Sequence, residues 1–236
     1  TVLRDIATAK VVKADASRRQ EQNSFVDAKT GKAFVRVPAG EFLYGDDKKK
    51  LHLDEFWIAK TPVTNAEYAR FVAETKAEPP KHWKGSYPPA ELANHPVVNV
   101  SWHEAKAYAE WAGMALPTEQ QWQKAARGTD GREYPWGNEW REKHCNTRES
   151  GIRTTTPVGQ FSPQGDSVYG CVDMAGNVWE WANSWYDQKQ DTRVLCGGSW
   201  DDDRRYARVA FRSWHDPVLS DFYLGFRVVS PVVSGS

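Results

Sequence analysis

Three capping boxes constrain this chain more than anything else in it. Thr64 is followed three residues later by Glu67, Ser101 by Glu104 and Thr118 by Gln121. In each pair the hydroxyl can accept from a first-turn N–H while the later side chain reaches back, so a helix starts at each point. The first helix puts Tyr68, Phe71 and Val72 on one face, and the second Ala105, Tyr108, Ala109 and Ala112. Such spacing of three and four residues packs a face against a core. Gly113 reads as the left-handed cap that ends the second helix. Between these two helices, Pro79-Pro80 and Pro88-Pro89 mark a loop. Upstream, Phe34 to Phe42 reads as strand, turn, strand, and Phe56-Trp57-Ile58-Ala59 as a buried strand. Lys48 to Lys50 reads as a solvated loop, and the chain from Gly128 to Trp185 as loops with short strands. The fold class expected is α+β, with small antiparallel sheets, two or three helices and many loops. Twelve tryptophans call for an aromatic-packed core.

A chain of 236 residues can bury a sizeable single core. Residues 1–32 are weakly patterned and read as an N-terminal arm, and 33–236 as one domain. The formal net charge is zero, so nothing draws the chain as a whole to nucleic acid or to an anionic membrane. No apolar run reaches membrane-spanning length and no signal peptide is visible, which excludes membrane insertion but leaves the compartment open. A monomer is expected. The three cysteines, Cys145, Cys171 and Cys196, have no metal-type spacing, and their odd number does not make a disulfide framework, although one pair could bridge. The six histidines form no ligand pair. There is no nucleophile elbow and no phosphate loop. Cys196 reads as a small buried strand residue rather than a nucleophile.

The stretch from Arg193 to Val229 begins and ends as strand, but its interior follows no helical or strand period. It carries Asp201, Asp202, Asp203, Arg205, Tyr206, Phe211, Ser213, Trp214, His215, Val218, Leu219, Ser220, Asp221, Phe222 and Tyr223. That mixture resembles a binding surface more than an ordinary loop pair, since exposed Trp214, Phe222 and Tyr223 would cost solubility without a partner. Two loops carry oxygen ligands suited to a hard cation such as calcium. One holds Asn146, Thr147 and Glu149. The other holds Asp173, the carbonyls of Gly176 and Val178, and Glu180. Turn-capping acids are the plainer reading of both.

A set of ordered motifs now carries a resemblance. Val37-Pro38-Ala39-Gly40-Glu41-Phe42, Thr61-Pro62-Val63-Thr64-Asn65, Pro96-Val97-Val98-Asn99-Val100-Ser101-Trp102, Leu116-Pro117-Thr118-Glu119, Tyr134-Pro135-Trp136-Gly137, Gly176-Asn177-Val178-Trp179-Glu180-Trp181, Gly197-Gly198-Ser199-Trp200 and Gly225-Phe226-Arg227 together resemble the formylglycine-generating enzyme family. The resemblance runs from about residue 33 to 229. It implies a C-type-lectin-like fold and calcium at Asp173, Gly176, Val178 and Glu180, with a second site at Asn146 and Thr147 completed by Glu149, Ser150 or Ile152. The enzymes of that family carry two copper-binding cysteines where this chain has Asp202 and Ala207. Since thiolates select Cu(I), this departure implies no copper, and a chain that is not an enzyme.

Residues 193–229 also resemble the variable region of a diversity-generating retroelement target protein. In such a protein the asparagine-type codons are scattered while the frame around them is kept. The function expected is therefore a ligand-binding protein whose diversified surface meets an unknown protein or other macromolecule. Two alternatives stand beside it. One is a divergent metal-dependent oxidase or transferase using Cys196 or a bound metal, and the other is a regulatory domain of a larger protein.

Overall fold

The computed structural model describes residues 23–230, so most of the expected N-terminal arm lies outside the described residues. The strands are β1 (Ser24–Val26), β2 (Ala33–Val37), β3 (Gly40–Tyr44), β4 (Lys49–Leu53), β5 (Phe56–Ala59), β6 (Trp179–Trp185), β7 (Arg193–Cys196), β8 (Arg212–His215), β9 (Leu224–Gly225) and β10 (Val229–Ser230). The helices are α1 (Asn65–Thr75), α2 (Trp102–Ala112) and α3 (Glu119–Arg127). One sheet has the order β1-β2-β5-β10, another β8-β7-β6-β9, and β3 pairs with β4 as a hairpin. All pairings are antiparallel except that of β6 with β9.

The local signals account for most of this. All three capping boxes form, with both reciprocal hydrogen bonds present in each. Gly113 adopts φ 73° and closes α2. All four residues of β5 are buried, as its apolar run requires. Helices α1 and α2 meet through aromatic rings, with Tyr68 stacked on Tyr108 at 5.7 Å and Phe226 edge-on to both. On α3 the buried face carries cations as well as Trp122. Lys124 donates to the carbonyls of Pro38 and Gly40, and Arg127 to those of Leu43, Gly45, Gly131 and Arg132, so α3 fastens the β3–β4 hairpin. Charge-assisted bonds of this kind satisfy cations that burial would otherwise penalise.

Three local expectations are corrected. Lys49 and Lys50 open strand β4 instead of lying in a loop, opposite Tyr44 and Leu43. Both stay exposed there, which is what an isolated hairpin edge tolerates. Arg212 to His215, in the supposedly periodless interior, form β8 against β7. A four-residue strand, none of it fully buried, leaves no hydrophobic alternation to read. Ser24–Val26, within the segment read as an arm, pairs with β2, and Phe25 stacks on Phe34 at 5.0 Å. The three cysteines are buried and free. No helix among the described residues is long and apolar enough to cross a membrane.

Candidate ligand-binding site

Strand β7 ends at Gly197 and Gly198, both in the left-handed region. A Cβ on Gly198 would fall 2.9 Å from the carbonyl oxygen of Tyr206, so only glycine lets the returning chain come this close. The loop that follows is anchored by hydrogen bonds. The buried Ser199 hydroxyl donates to Asp202 Oδ2 at 2.5 Å, and Trp179 Nε1 donates to the same oxygen at 2.8 Å. The Arg148 backbone N–H donates to the Asp202 carbonyl. Behind this loop, Tyr206 stands edge-on to Trp179 and to Phe211, at 6.3 and 4.8 Å between ring centroids.

These elements enclose a cavity of about 430 Å³, within the range of small-ligand sites. It is lined by Trp179, Leu195, Ser199, Asp201, Asp202, Tyr206, Ser213, Trp214, His215 and Tyr223. Seven of these were expected from sequence. Trp214 on the cavity wall and Phe222 beside Tyr223 are exposed large apolar side chains, as are Val218 and Leu219 in the loop between them. Phe222 leans on Trp200 and on Tyr223, with centroids at 5.6 and 4.9 Å. Asp203 and Arg205 pair with each other at 2.7 Å outside the cavity, and the guanidinium holds the carboxyl down at about 2. Phe211 lines a neighbouring cavity of about 320 Å³ with Arg208 and Arg212. Ser220 and Asp221 are half-buried.

The expectation of a wholly exposed set needs correcting. Tyr206, Phe211 and Tyr223 are partly buried and pack against the main core. Trp200 is half-buried. Ala210, Phe226 and Val228 are buried. Trp179, Leu195 and Ser199 were missed as site residues. Trp179 was read only as part of a metal loop. On β6 successive side chains alternate faces, so Trp179 meets the cavity while Glu180 turns into the core.

Hydrogen bonds hold the two loops read as calcium sites. They lie against each other: Asn177 N–H donates to the Asn146 carbonyl, and Asn146 Oδ1 accepts from Ser150. Glu180 is not available as a ligand. Its two oxygens accept from Arg227 at 2.6 Å each, and Oε2 also accepts from Trp122 Nε1 at 2.7 Å. Among the described residues no cluster of three or more His, Cys, Asp or Glu side chains is placed to hold a metal. With both Glu180 oxygens taken by Arg227, the Asp173, Gly176, Val178 and Glu180 set does not fit the ion. In the other loop, Thr147 Oγ1 and Glu149 Oε2 are buried without hydrogen-bond partners, and a calcium proposal rests on these two oxygens.

Asp173 is held instead by one hydrogen bond from Gly159 N–H, and burial pushes its carboxyl up to about 6 from an ordinary 3.8. A raised folded-state value means that its stabilising share is full below about pH 4 and is lost as pH rises through about 6. Asp173→Asn is thus expected to stabilise the protein at pH 7.5 by at most about 3 kcal/mol, with the gain vanishing near pH 4. Urea unfolding across that range checks it. A loss that appears only with calcium present would instead make Asp173 a metal ligand.

Cys196 is fully buried, and burial pushes its thiol well above the ordinary value, so it presents no thiolate for attack. The thiols of Cys145 and Cys171 are pushed up to about 12 and about 11 for the same reason.

Residues 20–232 match the sulfatase-modifying factor enzyme 1-like domain family. The chain belongs to that family. It is 34% identical to the inactive C-alpha-formylglycine-generating enzyme 2 of Mus musculus, over 84% of this chain and 85% of that protein. It is 33% identical to the formylglycine-generating enzyme of Streptomyces coelicolor, over 86% and 91% of the two chains. The hercynine oxygenase of Mycolicibacterium smegmatis is 30% identical over 82% of this chain and 60% of its own length. Among solved structures, PvdO from Pseudomonas aeruginosa superposes with TM-score 0.72 at 24% identity, covering 87% of this chain and 97% of that one. Treponema denticola variable protein 1 gives 0.71 at 20%, covering 88% and 98%. The fold is the C-type-lectin-like one of this family. The expectation that the chain is not an enzyme is overturned by this comparison. Relatives named as formylglycine-generating enzyme and as hercynine oxygenase match most of the chain, so Asp202 and Ala207 at the cysteine positions do not take it out of a family of enzymes.

Proposed function

We propose that this protein binds a ligand in the cavity beside β6, β7 and β8, and that residues 201–223 are where copies of it differ. One observation carries the reading. Every residue named from sequence as part of the surface, from Asp201 to Tyr223, is exposed or half-buried. The frame around them is buried at Gly197, Gly198, Ser199, Ala207, Ala210 and Leu224 to Arg227, and half-buried at Trp200, Arg208, Arg212 and Pro217. The partition is what codon diversification on a fixed scaffold requires, and it supports assigning 193–229 to a retroelement-type variable region. The ligand in this reading is a protein or other macromolecule, with the aromatic side chains as anchors. A calcium ion at Thr147 and Glu149 would brace the loop that donates to Asp202.

Two measurements test this. The DNA around the coding sequence is expected to hold a reverse transcriptase gene and a near copy of codons 193–229 that differs chiefly at adenines. Independent isolates with invariant codons 201–223 would overturn the diversification. Separately, peptides selected from a random display library on the purified protein are expected to lose binding to the Trp214→Ser/Phe222→Ser variant at unchanged melting temperature. Selected peptides that bind both forms equally would sink the cavity as the binding site. For calcium, the melting temperature is expected to rise with the logarithm of calcium concentration and to fall on chelation. No shift would remove the ion.

A further inference from the structure

We infer that the cavity takes an organic cation, a guanidinium or alkylammonium group carried by the ligand. This deepens the binding reading above and rests on it. Two carboxylates, Asp201 and Asp202, line the cavity, and among the described residues no lysine or arginine does. Neither forms an ion pair within the described residues. Of the cations nearby, Arg205 pairs with Asp203, and the exposed Arg148 side chain donates to the backbone carbonyl of Asp201 rather than to either carboxylate. The two bonds that Asp202 Oδ2 accepts, from Ser199 and Trp179, come from neutral groups. They orient the carboxylate without cancelling its charge.

A third acid belongs to the same field. The phenol of Tyr223, on the cavity wall, is pushed up first by burial and then by Asp221, Asp202 and Asp201. Two carboxylates thus line the concave site, and a third, Asp221, acts on the Tyr223 phenol of its wall. Uncompensated negative charge in a partly desolvated hollow is unfavourable, and an arriving cation relieves it. The walls suit the same ligand. Trp179, Tyr206 and Trp214 present aromatic rings around the hollow, and ring faces attract ammonium and guanidinium groups, most strongly where water is excluded. Carboxylates on one side and aromatic walls around it select a cation with an apolar stem over a bare metal ion. A simple ion would gain nothing from the rings and would want more oxygen ligands than the exposed Asp201 and half-buried Asp202 offer.

The test compares N-acetyl-arginine methylamide and N-acetyl-lysine methylamide with N-acetyl-citrulline methylamide, the neutral isostere of the arginine probe. Each is titrated into the full chain while the indole N–H signals of Trp179 and Trp214 are followed by NMR. At least one cationic probe is expected to saturate these signals with an affinity about tenfold or more above citrulline. Asp201→Asn/Asp202→Asn is expected to reduce it to the citrulline level with the melting temperature unchanged. Citrulline binding as tightly as arginine, with both lost in Trp214→Ala, would overturn the cation preference while the cavity remained a binding site. Equal arginine binding by the double asparagine variant would overturn it as well. If no probe saturates, the inference falls, and the peptide selection decides separately whether the binding reading falls with it.

Discussion

Arg227→Met is expected to cost about 3–5 kcal/mol of unfolding free energy, the range for breaking a buried ion pair from one side. Arg227 and Glu180 are fully buried, and the pair is bidentate, with N···O distances of 2.6 Å on both arms. The guanidinium also donates to the carbonyls of Ala59 and Val172, on elements far apart in the chain. Methionine fills much of the same volume but leaves Glu180 buried with only Trp122 as donor. That stranded charge is the main expense. Adding Glu180→Gln to Arg227→Met should therefore recover part of the loss, which urea unfolding of the two single variants and the double variant measures. A loss below about 1 kcal/mol for Arg227→Met would mean that the pair is not what joins the sheets here.

Phe226→Ala is expected to cost about 3–5 kcal/mol, and Phe222→Ser less than about 1 kcal/mol, though the two residues are four apart. Phe226 is 0% exposed between Tyr68 and Tyr108, and truncating it leaves a cavity in the densest aromatic cluster. Phe222 is 46% exposed at the cavity rim, and its ring meets the half-buried rings of Trp200 and Tyr223. Tyr206→Ser and Phe211→Ser should fall between these values, since both rings join the core on one side and reach a cavity on the other. Equal losses for Phe222→Ser and Phe226→Ala would show that the rim is packing rather than a surface held for a ligand. The binding reading would then fail.

The contrast between Phe222 and Phe226 also marks where reading the sequence succeeds. The capping boxes at Thr64, Ser101 and Thr118 were legible because a hydroxyl and a carboxylate or amide three residues apart decide a helix start among themselves. The buried strand Phe56–Ala59, the ordered family motifs and the mixed character of residues 201–223 were legible for a related reason. Each is a property of neighbours in the chain, or of the order of short motifs along it.

What stayed hidden depends on partners that only the folded chain brings together. Glu180 in isolation is a carboxylate at calcium-like spacing from Asp173. The tertiary structure spends it on Arg227, 47 residues away, because the parallel pairing of β6 with β9 sets Glu180 opposite Gly225, two residues before that arginine. Trp179 and Ser199 became cavity residues only when the turn at Gly197 and Gly198 folded the following loop back over β6. Lys49 and Lys50 entered a strand because β3 supplied hydrogen-bond partners that a charge run cannot advertise. Helix starts and apolar runs follow from interactions within a few residues, and the sequence by itself determined those. The roles of buried charges and of the cavity walls follow from long-range pairing, whose energy depends on burial and geometry that no local pattern carries, and only the tertiary structure decided them.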